Sequence, residues 1–244
     1  MLFLRILEQS QRWAYRIHAR SYSAQSITRP CGFQLWPAYF SEAEQRMLLA
    51  ASLYKLDSTE PRQSRRKRKE YWKSYHEGNT GTLTDLFAPD AMYDFHKGHF
   101  DGVIHDFREM HLSAWPLEEF PALKPVLERL HLLCPDPPSK IQTHLLHLAS
   151  YGEILPHVDN LEASGTWILG VSLGDARTLR MKEIGGESGK EFSWKLPSGS
   201  VYLQRDRTRY EYLHSIDRIS DESHSRAGQR LSIMIRDHYK DPQI

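Results

Sequence analysis

His157, Val158 and Asp159 stand together in this sequence, His214 follows on a later segment, and Arg230 and Arg236 bracket a short apolar stretch beyond it. Two imidazoles and one carboxylate can hold a metal ion and leave coordination positions open, which is the ligand set of a non-haem ferrous centre. A structural zinc site would instead be closed by four ligands. Residues two apart in an extended segment leave the same face, so His157 and Asp159 can reach one ion. His214 must then arrive from a distant strand. Arginines placed after such a triad suit a dicarboxylic acid held beside the metal, because a guanidinium grips a carboxylate through two parallel hydrogen bonds. The remaining position would take O2.

The segment Arg230-Leu231-Ser232-Ile233-Met234-Ile235-Arg236 alternates cleanly. Leu231, Ile233 and Ile235 share one face, and Arg230, Ser232, Met234 and Arg236 the other. An ordinary strand with a solvated polar face reads the same way; the triad favours a polar face turned into a barrel mouth. At ~3.3 Å per residue the two arginines stand about 20 Å apart, so they cannot fork one carboxylate. Arg230 is the candidate for the distal carboxylate of the cosubstrate, with Arg236 nearer the metal-bound end or the substrate entrance. Tyr202 could lend its hydroxyl to the cosubstrate or be a plain core tyrosine; Tyr210 and Tyr212 are weaker candidates. His99-Phe100-Asp101 repeats the His-x-Asp spacing. It falls in a stretch read as helical, where residues two apart do not share a face. Gly185-Gly186-Glu187-Ser188-Gly189-Lys190 lacks the first Gly and the Ser or Thr of a phosphate loop, and reads as a hairpin turn.

The elements that must position these groups divide the chain by texture. Residues 33–140 read as helical stretches with charged linkers, and 141–240 as short strands broken by Gly, Pro and Ser. Ser41 followed by Glu44 is a capping box, and Met47, Leu48, Ala51 and Leu56 continue an apolar stripe behind it. A second helix is expected over 116–133, with Leu117, Phe120, Leu127, Leu130 and Leu133 facing a sheet and Pro121 and Pro125 disturbing its first turns. Strands are expected near 141–149, 166–173, 177–183, 191–196, 200–204, 208–214 and 229–239. Strands this short and closely spaced imply an α+β chain with a sandwich or jelly-roll core and N-terminal helices packed on one sheet.

Composition narrows the setting. The 244 residues carry a net charge of +1, so the molecule as a whole exerts no strong pull on nucleic acid. Cys31 and Cys134 cannot build a disulfide framework or a cysteine-based zinc site. No window approaches a membrane span. Residues 1–23 hold Arg5, Arg12, Arg16 and Arg20 against the single acid Glu8, with serines and an imperfect apolar face. That composition belongs to a mitochondrial transit peptide, and Arg20-Ser21-Tyr22 resembles a matrix-protease cleavage site; a plain basic tail is the alternative. Arg62 to Lys69 place six cations in eight residues, with Tyr71, Trp72 and Tyr75 nearby. A solvated linker, a nuclear-import signal and an RNA-binding run are the readings in play.

The His157/Asp159/His214 triad with Arg230-x5-Arg236 resembles the AlkB-like family of Fe(II)/2-oxoglutarate dioxygenases. Gly98-His99-Phe100-Asp101 running into Ile104-His105-Asp106-Phe107-Arg108-Glu109 narrows the resemblance, as do Ile154 to Asp159, and Gly199-Ser200-Val201-Tyr202 leading to Arg209-Tyr210 and His214. It then covers roughly 33–240 and points to the family's mitochondrial branch, linked to alkylation-induced programmed necrosis and fatty-acid metabolism. The resemblance implies a double-stranded β-helix, a mitochondrial matrix location, Fe(II) on His157, Asp159 and His214, and 2-oxoglutarate on Tyr202, Arg230, Ser232 and Arg236. It also implies O2 as cosubstrate and decarboxylation of 2-oxoglutarate to succinate and CO2, coupled to hydroxylation of a C–H bond, or to demethylation when the carbon bears nitrogen. The Asn and Tyr of the nucleic-acid demethylases fall near Leu146 and Leu148 here, which sets base-repair chemistry in doubt. Three classes of partner follow: a protein to hydroxylate, a methylated mitochondrial RNA or tRNA, or a binding partner of a non-catalytic protein.

Overall fold

The computed structural model describes residues 30–74, 82–137, 140–160, 165–185, 190–217 and 228–237. Their strands are β1 (Phe33–Trp36), β2 (His96–Gly98), β3 (Ile104–Leu112), β4 (Ile141–His157), β5 (Trp167–Gly174), β6 (Arg177–Glu183), β7 (Glu191–Leu196), β8 (Ser200–Arg205), β9 (Tyr212–Ile216) and β10 (Arg230–Asp237). The helices are α1 (Glu42–Thr59), α2 (Arg62–Ser74), α3 (Lys124–His131) and the single turn α4 (Arg207–Tyr210). All ten strands join one antiparallel sheet in the order β1-β8-β5-β10-β4-β9-β6-β7, with β3 pairing β4 and β2 pairing β3.

Period-two alternation sorts every strand into an inner and an outer face. The outer faces of β4, β5, β8 and β10 carry Leu145, Leu169, Val171, Val201, Leu203, Leu231, Ile233 and Ile235. These pack under α1, through Leu48, Leu49, Leu53 and Leu56, and α3, through Leu127 and Leu130. The inner faces close over a second apolar cluster that includes Phe33, Leu35, Phe107, Leu146, Leu148, Met181, Trp194 and Tyr202. Two faces of one curled sheet therefore build two cores, and the polar groups of β10 look into the inner one.

Ser41 caps α1 as expected: Glu44 N donates to its Oγ, and Ser41 N donates back to the Glu44 carboxylate at 2.9 Å. Other elements differ from expectation. Pro121 and Pro125 shorten the helix expected over 116–133 to α3, led in by a 3-10 turn at Pro121–Leu123, and leave Leu117 exposed. The first half is not simply helical, since β1 pairs β8 and β3 pairs β4. The basic run is helix α2 rather than a linker, because Arg68 is drawn into ion pairs with Asp57 and Glu60 at the end of α1. β4 continues past 149 to His157, and the strand expected over 208–214 is split into α4 and β9. Residues 1–23 lie outside the described residues.

Candidate metal centre

β4 ends at His157, whose register partner across the sheet is His214 on β9. Asp159 follows two residues later. One donor atom from each of the three side chains falls within 4.8 Å of the others. Asp159 stands between the rings, with Oδ1 3.4 Å from His157 Nε2 and Oδ2 3.5 Å from His214 Nε2. His157 Nδ1 lies 2.9 Å from the Leu155 carbonyl. Donation there puts the proton on Nδ1 and turns the Nε2 lone pair toward Asp159, the orienting bond that metal-binding histidines usually make.

Electrostatics prepare the ligands. Burial pushes the Asp159 carboxyl up, but the adjoining His214 and His157 outweigh it and hold the group well below the usual carboxylate range. Burial brings His214 down to about 4, so its ring is neutral at pH 7 and able to bind a cation. His157 is pulled down by burial yet ends above its ordinary value through Asp159. With two imidazole nitrogens and a carboxylate oxygen converging, this donor set fits Fe(II).

Beside the triad, β10 presents its polar face inward. Arg230 is fully buried, and its Nε donates to Ser172 Oγ at 2.9 Å. Its Nη1 and Nη2 find no acceptor of good geometry, and no carboxylate pairs with it among the described residues. Burial pushes this guanidinium down, with only Tyr202 opposing. A cation kept dry without a counterion is costly, and here it leaves a fork open to an anion. Tyr202 is buried against it, and a Cβ at Gly170 would lie 2.2 Å from the Tyr202 ring, so the phenol occupies the space a side chain there would take. Ser232 pairs in register with Ser172, and Ser172 with Ser200; all three are buried, and Ser200 Oγ has no hydrogen-bond partner among the described residues. Arg236 is half-buried with Nε unpartnered among the described residues, and its charge acts on His111 and Arg209. Tyr210 is exposed, and Tyr212 packs into the inner core.

Several residues escaped the sequence reading. Ser172, Ser200 and Gly170 line the arginine pocket, and the small residues Gly170, Ser172 and Gly174 at period two were the available signal. The second His-x-Asp copy lies in the turn between β2 and β3, where His99 Nδ1 meets Asp101 Oδ1 at 2.9 Å. The helical argument against it therefore fails: the two side chains do share a face. This copy extends a wall beside the triad. Asp101 senses the charge of His157, His99 faces Glu109 at 3.7 Å, Glu109 meets His144 at 2.9 Å, and His111 stacks on His144.

The sequence model described as the 2OG-Fe(II) oxygenase superfamily matches residues 32–236. The cattle (Bos taurus) protein named alpha-ketoglutarate-dependent dioxygenase alkB homolog 7, mitochondrial, is 31% identical over 144 residues, which span 57% of this chain and 63% of that protein. The mouse (Mus musculus) protein of the same name is 31% identical over 164 residues, 64% of this chain and 71% of the mouse protein. Among solved structures, one described as OsALKBH1 superposes with a TM-score of 0.48 at 17% identity, covering 87% of this chain and 99% of that one. A Pseudomonas putida prolyl-4-hydroxylase gives 0.47 at 12% identity, covering 86% and 93%.

Proposed function

Since the chain belongs to the 2OG-Fe(II) oxygenase superfamily, whose members use Fe(II) and 2-oxoglutarate, we propose that His157, Asp159 and His214 hold the iron and that Arg230, Tyr202 and Ser232 seat the cosubstrate. The observation that carries this is the buried Arg230 fork without an anion, on the same inner face as three converging ligand atoms. When bound, iron and 2-oxoglutarate supply O2 activation coupled to decarboxylation to succinate and CO2. The chain's own residues orient and shield. Leu155 fixes the His157 ring, Arg230 pairs with the distal carboxylate, Tyr202 and Ser232 offer hydroxyls, and the inner apolar core excludes water. Arg236, further along β10, stands toward the substrate side. The curled sheet is on this reading a double-stranded β-helix.

The finer reading follows the alkB homolog 7 relatives. It is a mitochondrial matrix enzyme acting in alkylation-induced programmed necrosis and fatty-acid metabolism, with hydroxylation of a protein side chain as its reaction. Three features support a protein over an RNA substrate. Leu146 and Leu148 are buried in the inner core where a demethylase carries polar residues. The wall beside the triad bears the carboxylates of Asp101 and Glu109, which repel phosphate. Arg68, the buried cation of α2, is drawn into ion pairs with Asp57 and Glu60, which also meet Arg108 of β3 on the outer face, away from the inner face that carries the triad. Turnover of 2-oxoglutarate to succinate, assayed with candidate mitochondrial peptides and with methylated mitochondrial tRNA, decides the matter. Stimulation by RNA alone would transfer the assignment to demethylation, and absence of turnover under every condition would leave a non-catalytic binding protein.

A further inference from the structure

Arg209 is 2% exposed and lies on α4, the one helical turn between β8 and the strand that carries His214. Its Nη1 donates to the main-chain carbonyl of Asp159 at 3.2 Å, and its charge acts on both the Asp159 carboxylate and the His214 ring. Burial pushes the guanidinium down, and Asp159 is the largest influence holding it up.

The surroundings are built to hold this turn in place. Thr208 Oγ1 donates to the Arg205 carbonyl at 2.9 Å, and Glu211 N to the Arg207 carbonyl at 2.8 Å. Asp206 enters the turn at φ 54°, a left-handed conformation that costs a non-glycine residue energy. A Cβ at Gly32 would lie 2.2 Å from the Arg205 carbonyl, so only glycine lets β1 approach the turn so closely. From the outside, Arg207 pairs with Glu211 and Glu183. A dry cation fixed this firmly needs a reason.

We infer that Arg209 is the positioning residue of the carboxylate ligand: by holding the Asp159 main chain it keeps that carboxylate aimed at the point His157 and His214 share. Neither arginine of β10 does this, since among the described residues neither Arg230 nor Arg236 pairs with Asp159. The inference rests on the triad being a metal site. Its sign is unusual. A buried cation next to a divalent ion repels it, so if Arg209 acted by charge alone, removing it would tighten metal binding. A positioning role demands the opposite. The planar fork also matters, because a lysine keeps the charge but presents a single flexible point donor.

Mn(II) binding by calorimetry to the full chain without 2-oxoglutarate tests this, with no need for turnover. Arg209→Met is expected to weaken Mn(II) binding by about 10- to 100-fold, the usual cost of losing a group that orients a ligand. Arg209→Lys, the milder variant that keeps the chain charged, is expected to fall between Met and wild type. With Mn(II) saturating, the affinity for 2-oxoglutarate should change less than about twofold, because the Arg230 pocket is untouched. Unchanged or tighter Mn(II) binding in Arg209→Lys, or in a folded Arg209→Met, overturns the inference while leaving the metal site intact. A wild-type chain that takes up no Mn(II) removes the metal reading itself, and this inference with it.

Discussion

Arg108 on β3 and Arg230 on β10 are both buried arginines of strands that pair with β4, yet they meet opposite surroundings. Arg108, on the outer face, reaches Asp57 Oδ1 at 2.8 Å and Glu60 Oε1 at 2.6 Å, and its Nε donates to His147 Nδ1 at 2.9 Å. His147 Nε2 continues to Gln229 Oε1 at 2.8 Å, and Gln229 to the Ala88 carbonyl at 2.7 Å. Its counterpart Arg230, on the inner face, has one serine and a tyrosine. The outer network neutralises its cation with Asp57 and Glu60, fastening α1 and α2 to β3 and β4. The inner pocket leaves its cation without a carboxylate among the described residues, as the proposed cosubstrate seat requires. Burial alone does not mark a functional arginine; the missing counterion does.

The sharpest way to break this comparison is at the metal. His157→Ala and Asp159→Ala should each reduce succinate formation to background, measured with iron and 2-oxoglutarate in excess; retained turnover would dissolve the proposed centre. Next come the two arginines themselves. Arg108→Met takes from Asp57 and Glu60 one of their two cations, Arg68 remaining, and removes the donor to His147, so it should destabilise the fold by about 1–3 kcal/mol in urea titration. Arg230→Met removes a lone buried charge. It should leave ligand-free stability unchanged or higher, while weakening 2-oxoglutarate binding by about 2–5 kcal/mol. Equal loss of stability in both variants would end the distinction.

A smaller effect is expected at Gly170. Gly170→Ala places a methyl group where the Tyr202 ring now lies, so the phenol must move, and KM for 2-oxoglutarate should rise by roughly tenfold, ~1.4 kcal/mol. The smallest effect concerns pH. His147 is held well below its ordinary 6.5 by burial and by Arg108 beside it. The unfolded chain takes up a proton below that pH and the folded chain does not. Stability is therefore full above pH 6.5 and falls as the pH drops, by up to about 1.4 kcal/mol per unit from this group. His214 adds a loss of the same sign when no metal holds it, because its ring too is depressed. Unfolding midpoints at pH 7.5 and 5.5 should show a smaller acid loss in His147→Gln than in wild type.

What could be read in the chain followed from periodicity. The two-residue step of an extended chain put His157 beside Asp159 and separated the faces of 230–236, so the polar row of β10 was legible in the sequence itself. Where non-local contacts decide, that reading stopped. Residues 62–69 carry no apolar stripe, and α2 owes its place to Arg68 meeting Asp57 and Glu60 across a turn. The four residues of β1 are too few for a pattern, and pair only because β8 offers an edge. His99 and Asp101 meet because the chain reverses through Gly102, at φ 71°. Periodicity does not mark Arg209 either, which reads as one more cation in Arg205-Asp206-Arg207-Thr208-Arg209 although it is among the residues that carry the family resemblance.

β4 deserves its length. Its inner residues His144, Leu146 and Leu148 line the inner face of the curled sheet, His147 locks the back, and His157 ends the same unbroken backbone, with a register irregularity between Ile154 and His157. A slip of one step along β10 would turn the leucines to the wrong side and present Pro156 in place of the imidazole. At the proposed centre, ion uptake would thus report strand alignment: a misthreaded molecule would betray itself by failing to load.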